Sequence, residues 1–211
     1  MFTTKMQTVK EGLGLLLLGL AFGVGMGIVF GINEDVFKDY ITQGIAANPE
    51  VHDAKSAGKI WRYAQRAHFH ATGIAGFSLG LLILIMVSEM KPGYKKVSSV
   101  FLGLGSLYPF SWMAMFVLAP SIGRGPAHDH FLTEIFAYSG VGGLVLGGSI
   151  LCANLFLGFF RDETPLKPEL DQHSIQSPVK RIEVAIEKNY EPWELHPAKE
   201  RNIGHYIEKD R

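Results

Sequence analysis

Four stretches of this chain, 13–32, 69–87, 97–119 and 131–160, are predominantly apolar, and none contains a Lys or Arg. A helix rises about 1.5 Å per residue, so about 20 such residues cross the roughly 30 Å of a bilayer's hydrocarbon core. A soluble four-helix bundle would instead carry a polar stripe at helical spacing along each segment, and no such stripe is visible. The pattern predicts an all-α polytopic membrane protein, with four transmembrane helices in a bundle and a polar C-terminal tail. The transmembrane domain is 1–160, with a surface loop at 33–67. The first segment follows Lys5 and Lys10 as a signal peptide would, but its apolar run is too long for one. No small-x-small cleavage site precedes Glu34 and Asp35, so it is expected to stay as a helix.

The tail, 161–211, scatters Pro165, Pro168, Pro178, Pro192 and Pro197 through mixed charges. It has too few apolar residues for a core of its own, although 179–188 could form a short helix or strand. A place on the membrane surface or against a partner is expected for it.

Glycines predict how the helices pack. Gly19, Gly23, Gly27 and Gly31 recur every four residues and make one smooth ridge, and Gly76 with Gly80 and Gly143 with Gly147 repeat the device. Lipid gives no hydrophobic drive between helices, so close backbone approach supplies the contact. The ridge can face a helix of its own chain or of a neighbouring subunit. Pro109 frees a carbonyl in the third segment beside Tyr108, Ser111 and Trp112, which fits either a lined cavity or a tolerated kink.

Four crossings return the chain to its starting side. Lys and Arg near the helix ends favour the N-terminal face only slightly, which places both termini in the cytoplasm and the other face outside or in the periplasm. A formal net charge of zero excludes a nucleic-acid binder driven by bulk positive charge. The single cysteine, Cys152, lies inside the fourth segment and has no partner for an internal disulfide.

Candidate chemistry gathers on the loop face. His68 and His70 stand at the entrance of the second apolar segment, and His128, Asp129 and His130 precede the fourth, with Glu134 one turn deeper. Imidazole is the commonest neutral metal ligand, and ionisable groups in membrane helices are functional suspects by default. Residues two apart on a helix point about 200° from each other, so His68 and His70 are expected to have different jobs. The loop before the fourth helix could aim His128 and His130 together, while Glu134 could be a charge at a helix N-terminus and nothing more. The candidate metal ligands are His68, His128, His130, Asp129 and Glu134, and the candidate cofactor-lining residues are His68, His70, Gly73, Tyr108 and Trp112. Two histidines with a carboxylate would suit Zn, Cu or non-haem iron, whereas one histidine facing a glycine-lined cleft would suit haem.

Short strings along the four helices carry a resemblance. Phe22-Gly23-Val24-Gly25, Arg66-Ala67-His68, Leu104-Gly105-Ser106, and Arg124-Gly125 followed by Glu134-Ile135-Phe136 resemble, in order and spacing, the small four-helix bacterial membrane enzyme styrene oxide isomerase. The resemblance covers roughly 11–160 and leaves out the tail. It implies a homo-oligomer, a trimer in that family, in the bacterial inner membrane, holding haem b between subunits with His68 as axial ligand. In the family the iron acts as a Lewis acid on an epoxide of a small apolar substrate. The chain also departs from the pattern: Ile74 stands where the family has an asparagine, and Met115 or Phe116 near its third-helix tyrosine. His70, His128 and His130 are additions, and a second histidine on the iron would favour electron transfer over an open coordination position.

Three readings follow: a haem b membrane protein with isomerase or related activity, a haem- or copper-binding accessory subunit of a membrane redox complex, and a structural membrane protein without metal. No Ser-His-Asp order, nucleophile elbow, P-loop or Rossmann fingerprint stands in the chain, and no inverted repeat supports a transporter. The residues leave the catalytic groups unknown.

Overall fold

The computed structural model describes residues 2–162, so the tail and the short helix or strand expected at 179–188 lie outside the described residues. In chain order the helices are α1 (Phe2–Gln7), α2 (Lys10–Asn33), α3 (Asp35–Ala47), α4 (Ser56–Val87), α5 (Pro92–Leu104), α6 (Tyr108–Ile122), α7 (Arg124–His128) and α8 (Phe131–Leu157). α2, α4, α8 and the continuous rod of α5 and α6 are each long and apolar enough to cross a membrane. The described residues form an all-α bundle of four spanning helices, and their only bridge pairs Met90 with Arg161.

The third crossing holds the bundle together. α5 packs against α2 and α8, α6 packs against α4 and α8, and α2 packs against α4. Between α5 and α6 the helix tightens into a 3₁₀ turn at Gly105–Leu107. Pro109 is the cause. It has no N–H to offer the Gly105 carbonyl four residues back, and the Tyr108 N–H takes that carbonyl instead in an i to i+3 bond.

The glycine ridge of α2 is used within the chain. A Cβ at Gly19 would stand 2.7 Å from the Ser106 Cβ, and one at Gly23 would stand 2.8 Å from the Ala71 Cβ, so α2 lies against the third crossing and α4. Gly31 faces open space, as do Gly76 and Gly80 on α4. On α8, Gly143 and Gly147 press against α5, where the Ser98 hydroxyl donates to the Gly147 carbonyl at 2.8 Å. Larger side chains fill the two ends. Leu16, Leu82, Ile85, Met90, Leu102 and Leu151 form the core on the N-terminal side, and Met26, Ile41, Ile60, Phe116 and Ala119 form it on the other.

The expected surface loop at 33–67 is instead largely helical. α3 occupies its first part, and α4 starts at Ser56, well before the apolar run at 69. Hydropathy misses this extension because Arg62, Gln65 and Arg66 interrupt it. Yet Ile60, Ala64 and Ala67 follow one buried face through those polar positions. His68 therefore lies 12 residues inside α4, not at its entrance.

The outer segment is lashed to the end of α6. The end of the helix leaves carbonyls of its last turn, that of Pro120 among them, without helical donors. The Tyr40 hydroxyl donates to the Val117 carbonyl at 2.7 Å, and the His52 Nε2–H donates to the Pro120 carbonyl at 2.9 Å. Asn48 reaches the same Pro120 oxygen at 3.4 Å, and Arg124 pairs with Asp53 at 3.2 Å. The Ser56 hydroxyl is the main influence holding the Asp53 carboxyl below the usual carboxylate range, with the Lys55 N–H and Arg124 adding to it. A group whose folded pKa is depressed contributes stability above its unfolded pKa and loses it as the pH falls through the folded value. The hydrogen-exchange protection factors of the 48–56 backbone, taken relative to the intrinsic rate at each pH, are therefore expected to hold at neutral pH and to fall only in strongly acidic buffer. Asp53→Asn is expected to lower them at neutral pH and to remove the acid step.

Candidate cofactor site at His68

His68 points from α4 toward the smooth face of α2. Its Nδ1 lies 2.8 Å from the Gly23 carbonyl oxygen. A carbonyl can only accept, so Nδ1 carries a proton, and in the neutral ring Nε2 is the nitrogen that keeps its lone pair. This is the arrangement in which a second partner fixes tautomer and ring angle for a metal-ligating histidine. The ring rests on Gly27, where a Cβ would stand 2.8 Å from Cε1, and Phe30 and Phe69 flank it at centroid distances of 5.7 and 5.3 Å. The Thr72 hydroxyl donates to the His68 carbonyl at 3.1 Å, one turn further on.

His70 leaves the other flank of α4 and meets α6. Its ring stacks on Tyr108 at 5.1 Å, 16° from parallel, and meets Trp112 edge to face at 5.7 Å. The Arg66 guanidinium lies over the Trp112 ring at 4.6 Å, and Gly73, on the same flank, opens to empty space. The candidate cofactor-lining residues therefore divide. His68 belongs to the α2–α4 groove, while His70, Gly73, Tyr108 and Trp112 belong to the α4–α6 flank, as the 200° separation on one helix requires.

The group before α8 does not converge. His130 is the N-cap of α8, its Nδ1 accepting the Leu132 N–H at 3.2 Å. That bond takes up one lone pair and leaves the proton on Nε2, so the ring presents no free nitrogen to a metal. His128 pairs through Nδ1 with its neighbour Asp129 at 2.7 Å, and both side chains are exposed. Glu134 lies exposed in the first turn of α8, where the helix dipole favours a carboxylate. Among the described residues no three His, Cys, Asp or Glu side chains come together as a metal cluster. The joint aim expected of His128 and His130, with Asp129 and Glu134 beside them, is corrected on this geometry.

Sequence reading did not assign Gly23 and Gly27 to His68, although their four-residue spacing was the signal that could have done so. Nor did it single out His52, whose Nδ1 is buried without a partner in a polar pocket of about 400 Å³ lined by Glu50, Asp53 and Arg124.

Fold and site together define an all-α protein with four helices long and apolar enough to span a membrane and one histidine seated against a backbone carbonyl between two of them. No family model matches the chain, and comparison with curated proteins and with solved structures returns no significant match.

Proposed function

We propose that this protein binds haem b, or another single metal centre, through Nε2 of His68. The supporting observation is the 2.8 Å contact between Nδ1 and the Gly23 carbonyl, which ties up Nδ1 as a donor and leaves Nε2 as the ring nitrogen available to a metal. Phe30 and Phe69 flank the His68 ring, and Gly76 and Gly80 leave the outer face of α4 without the side-chain bulk that would hold a flat macrocycle away. A ferric haem iron bound there supplies a Lewis-acid centre. The chain's part is to orient the ligand ring through Gly23, exclude water with the aromatic pair, and keep other histidines away from the iron. His70 is turned to α6 and His130 is occupied as a cap, so within one chain His68 would be the histidine that holds the group, which would supply Lewis-acid chemistry there.

In this reading the protein is a homo-oligomer of the bacterial inner membrane, a trimer by its resemblance to styrene oxide isomerase, with both termini cytoplasmic and a small apolar substrate taken from the bilayer. The test is the absorption spectrum, oxidised and dithionite-reduced, of detergent-purified protein beside His68→Ala, with Fe and Cu measured on the same samples. A Soret band with stoichiometric iron in the wild type and neither in the variant is the expected result. Copper without a Soret band would keep the site and replace haem. No metal in the wild type would leave a structural subunit.

A further inference from the structure

The outer part of α4 carries positive charge that the fold does not answer. Between Ala54 and Ser88 the chain has no Asp or Glu, while Lys59, Arg62 and Arg66 recur at three- and four-residue spacing and so share one helix face. Lys59 has Asp53 as an electrostatic partner. Arg62 and Arg66 are exposed, and among the described residues no carboxylate pairs with either. The Arg66 guanidinium lies over the Trp112 ring at 4.6 Å, a contact that steadies the group without using its N–H donors.

Depth limits what can supply the counter-charge. α4 has 32 residues, about 48 Å of helix against roughly 30 Å of hydrocarbon, and its apolar run begins only at Phe69. Arg66 stands one turn outside that run and Arg62 two turns outside it, at the level where basic side chains meet lipid headgroups. The same spacing continues inward through Phe69, Gly73 and Phe77. The two phenylalanines are 62% and 48% exposed, and a Cβ at Gly73 would have nothing within 4 Å, so a gap opens between them directly under the arginines.

We propose that this face of α4 binds a phospholipid of net negative charge, its phosphate held by Arg62 and Arg66 and one acyl chain lying over Gly73 between Phe69 and Phe77. Guanidinium groups match phosphate oxygens with paired N–H bonds. Two positive charges outweigh one phosphate, an excess that a zwitterionic headgroup worsens with its own cation. Free phosphate brings no chain to fill the apolar gap. The site is independent of the metal reading, because His68 turns toward α2.

Native mass spectrometry of the full-length protein in detergent, titrated with dioleoyl phosphatidylglycerol and with dioleoyl phosphatidylcholine, tests the assignment. Phosphatidylglycerol is expected to bind several-fold more tightly. Arg62→Gln and Arg66→Gln are each expected to raise its Kd roughly fivefold, the value of one basic group at an anionic surface, and to leave phosphatidylcholine nearly unchanged. Lys91→Gln, which removes an exposed cation from the other end of the bundle, is expected to bind as the wild type does, and so is His68→Ala. Equal Kd values for the two lipids in the wild type overturn the proposal, as does a phosphatidylglycerol Kd that neither arginine variant moves. Loss of binding in His68→Ala would give the arginines to the group held at His68 instead, and displacement of the lipid by millimolar inorganic phosphate would make this a free-anion site; either result also overturns it.

Discussion

With His68 as the proposed metal ligand, Gly27→Leu is expected to lower the iron content of purified protein as far as His68→Ala does. A Cβ at Gly27 would stand 2.8 Å from Cε1 and 3.4 Å from Nδ1 of His68, so any side chain there drives the ring off its seat. The displaced ring loses the Gly23 carbonyl, and with it both its fixed tautomer and its aim. Overpacking of this kind costs about 1–3 kcal/mol of stability. Iron content per chain and Soret absorbance report the site, and thermal unfolding in detergent reports the fold. Gly31→Leu is the control. It enlarges a glycine of the same ridge that faces open space, and it should leave iron, spectrum and unfolding unchanged. Equal iron in Gly27→Leu and the wild type would remove His68 from the metal site.

Gly147→Leu should destabilise the bundle strongly, by about 3 kcal/mol, near the upper end of the range for overpacking. Its Cβ would meet the Leu102 nitrogen at 2.7 Å and the Ser98 carbonyl oxygen at 2.8 Å. Both are backbone atoms, so α5 and α8 must separate, and the Ser98 hydroxyl bond to the Gly147 carbonyl goes with them. Denaturant or thermal titration in one detergent measures the difference. Gly80→Leu is the counterpart on the open face of α4, where the expected change in the monomer is within about 0.5 kcal/mol. If subunits associate through that face, Gly80→Leu lowers the oligomer fraction on size exclusion while Gly147→Leu unfolds the chain. Identical thermal curves for the two variants would contradict the packing assigned to α8.

The four spans were legible because hydrocarbon thickness fixes the length of apolar chain and lipid forbids a polar stripe. The divergence of His68 and His70 was legible for an equally simple reason, helical periodicity. The beginning of α4 was not, since Arg62, Gln65 and Arg66 break the hydropathy while Ile60, Ala64 and Ala67 keep the buried face. His128 and His130 do not aim together, and the reason is local. The Leu132 N–H is an orphan donor of a helix start, and the nearest acceptor is the His130 ring itself. Which partner the glycine ridge of α2 faces was open from spacing alone. It depends on Ser106, Ala71 and His68, residues remote in sequence that only folding brings to it.

The hydrogen bonds that hold the outer segment down have a consequence for the order in which the protein is made. The His68 seat joins Gly23 to residue 68, a separation of 45 residues, so both its walls exist once α4 has been synthesised. The bonds from Tyr40, Asn48 and His52 reach forward 77, 72 and 68 residues to carbonyls of α6. A nascent chain therefore contains both sides of the histidine seat before its outer lashings have anything to grip. The residues of the site are all made ahead of the partners that close the outer segment, and a chain released after α4 would have both sides of the seat with its outer segment untethered.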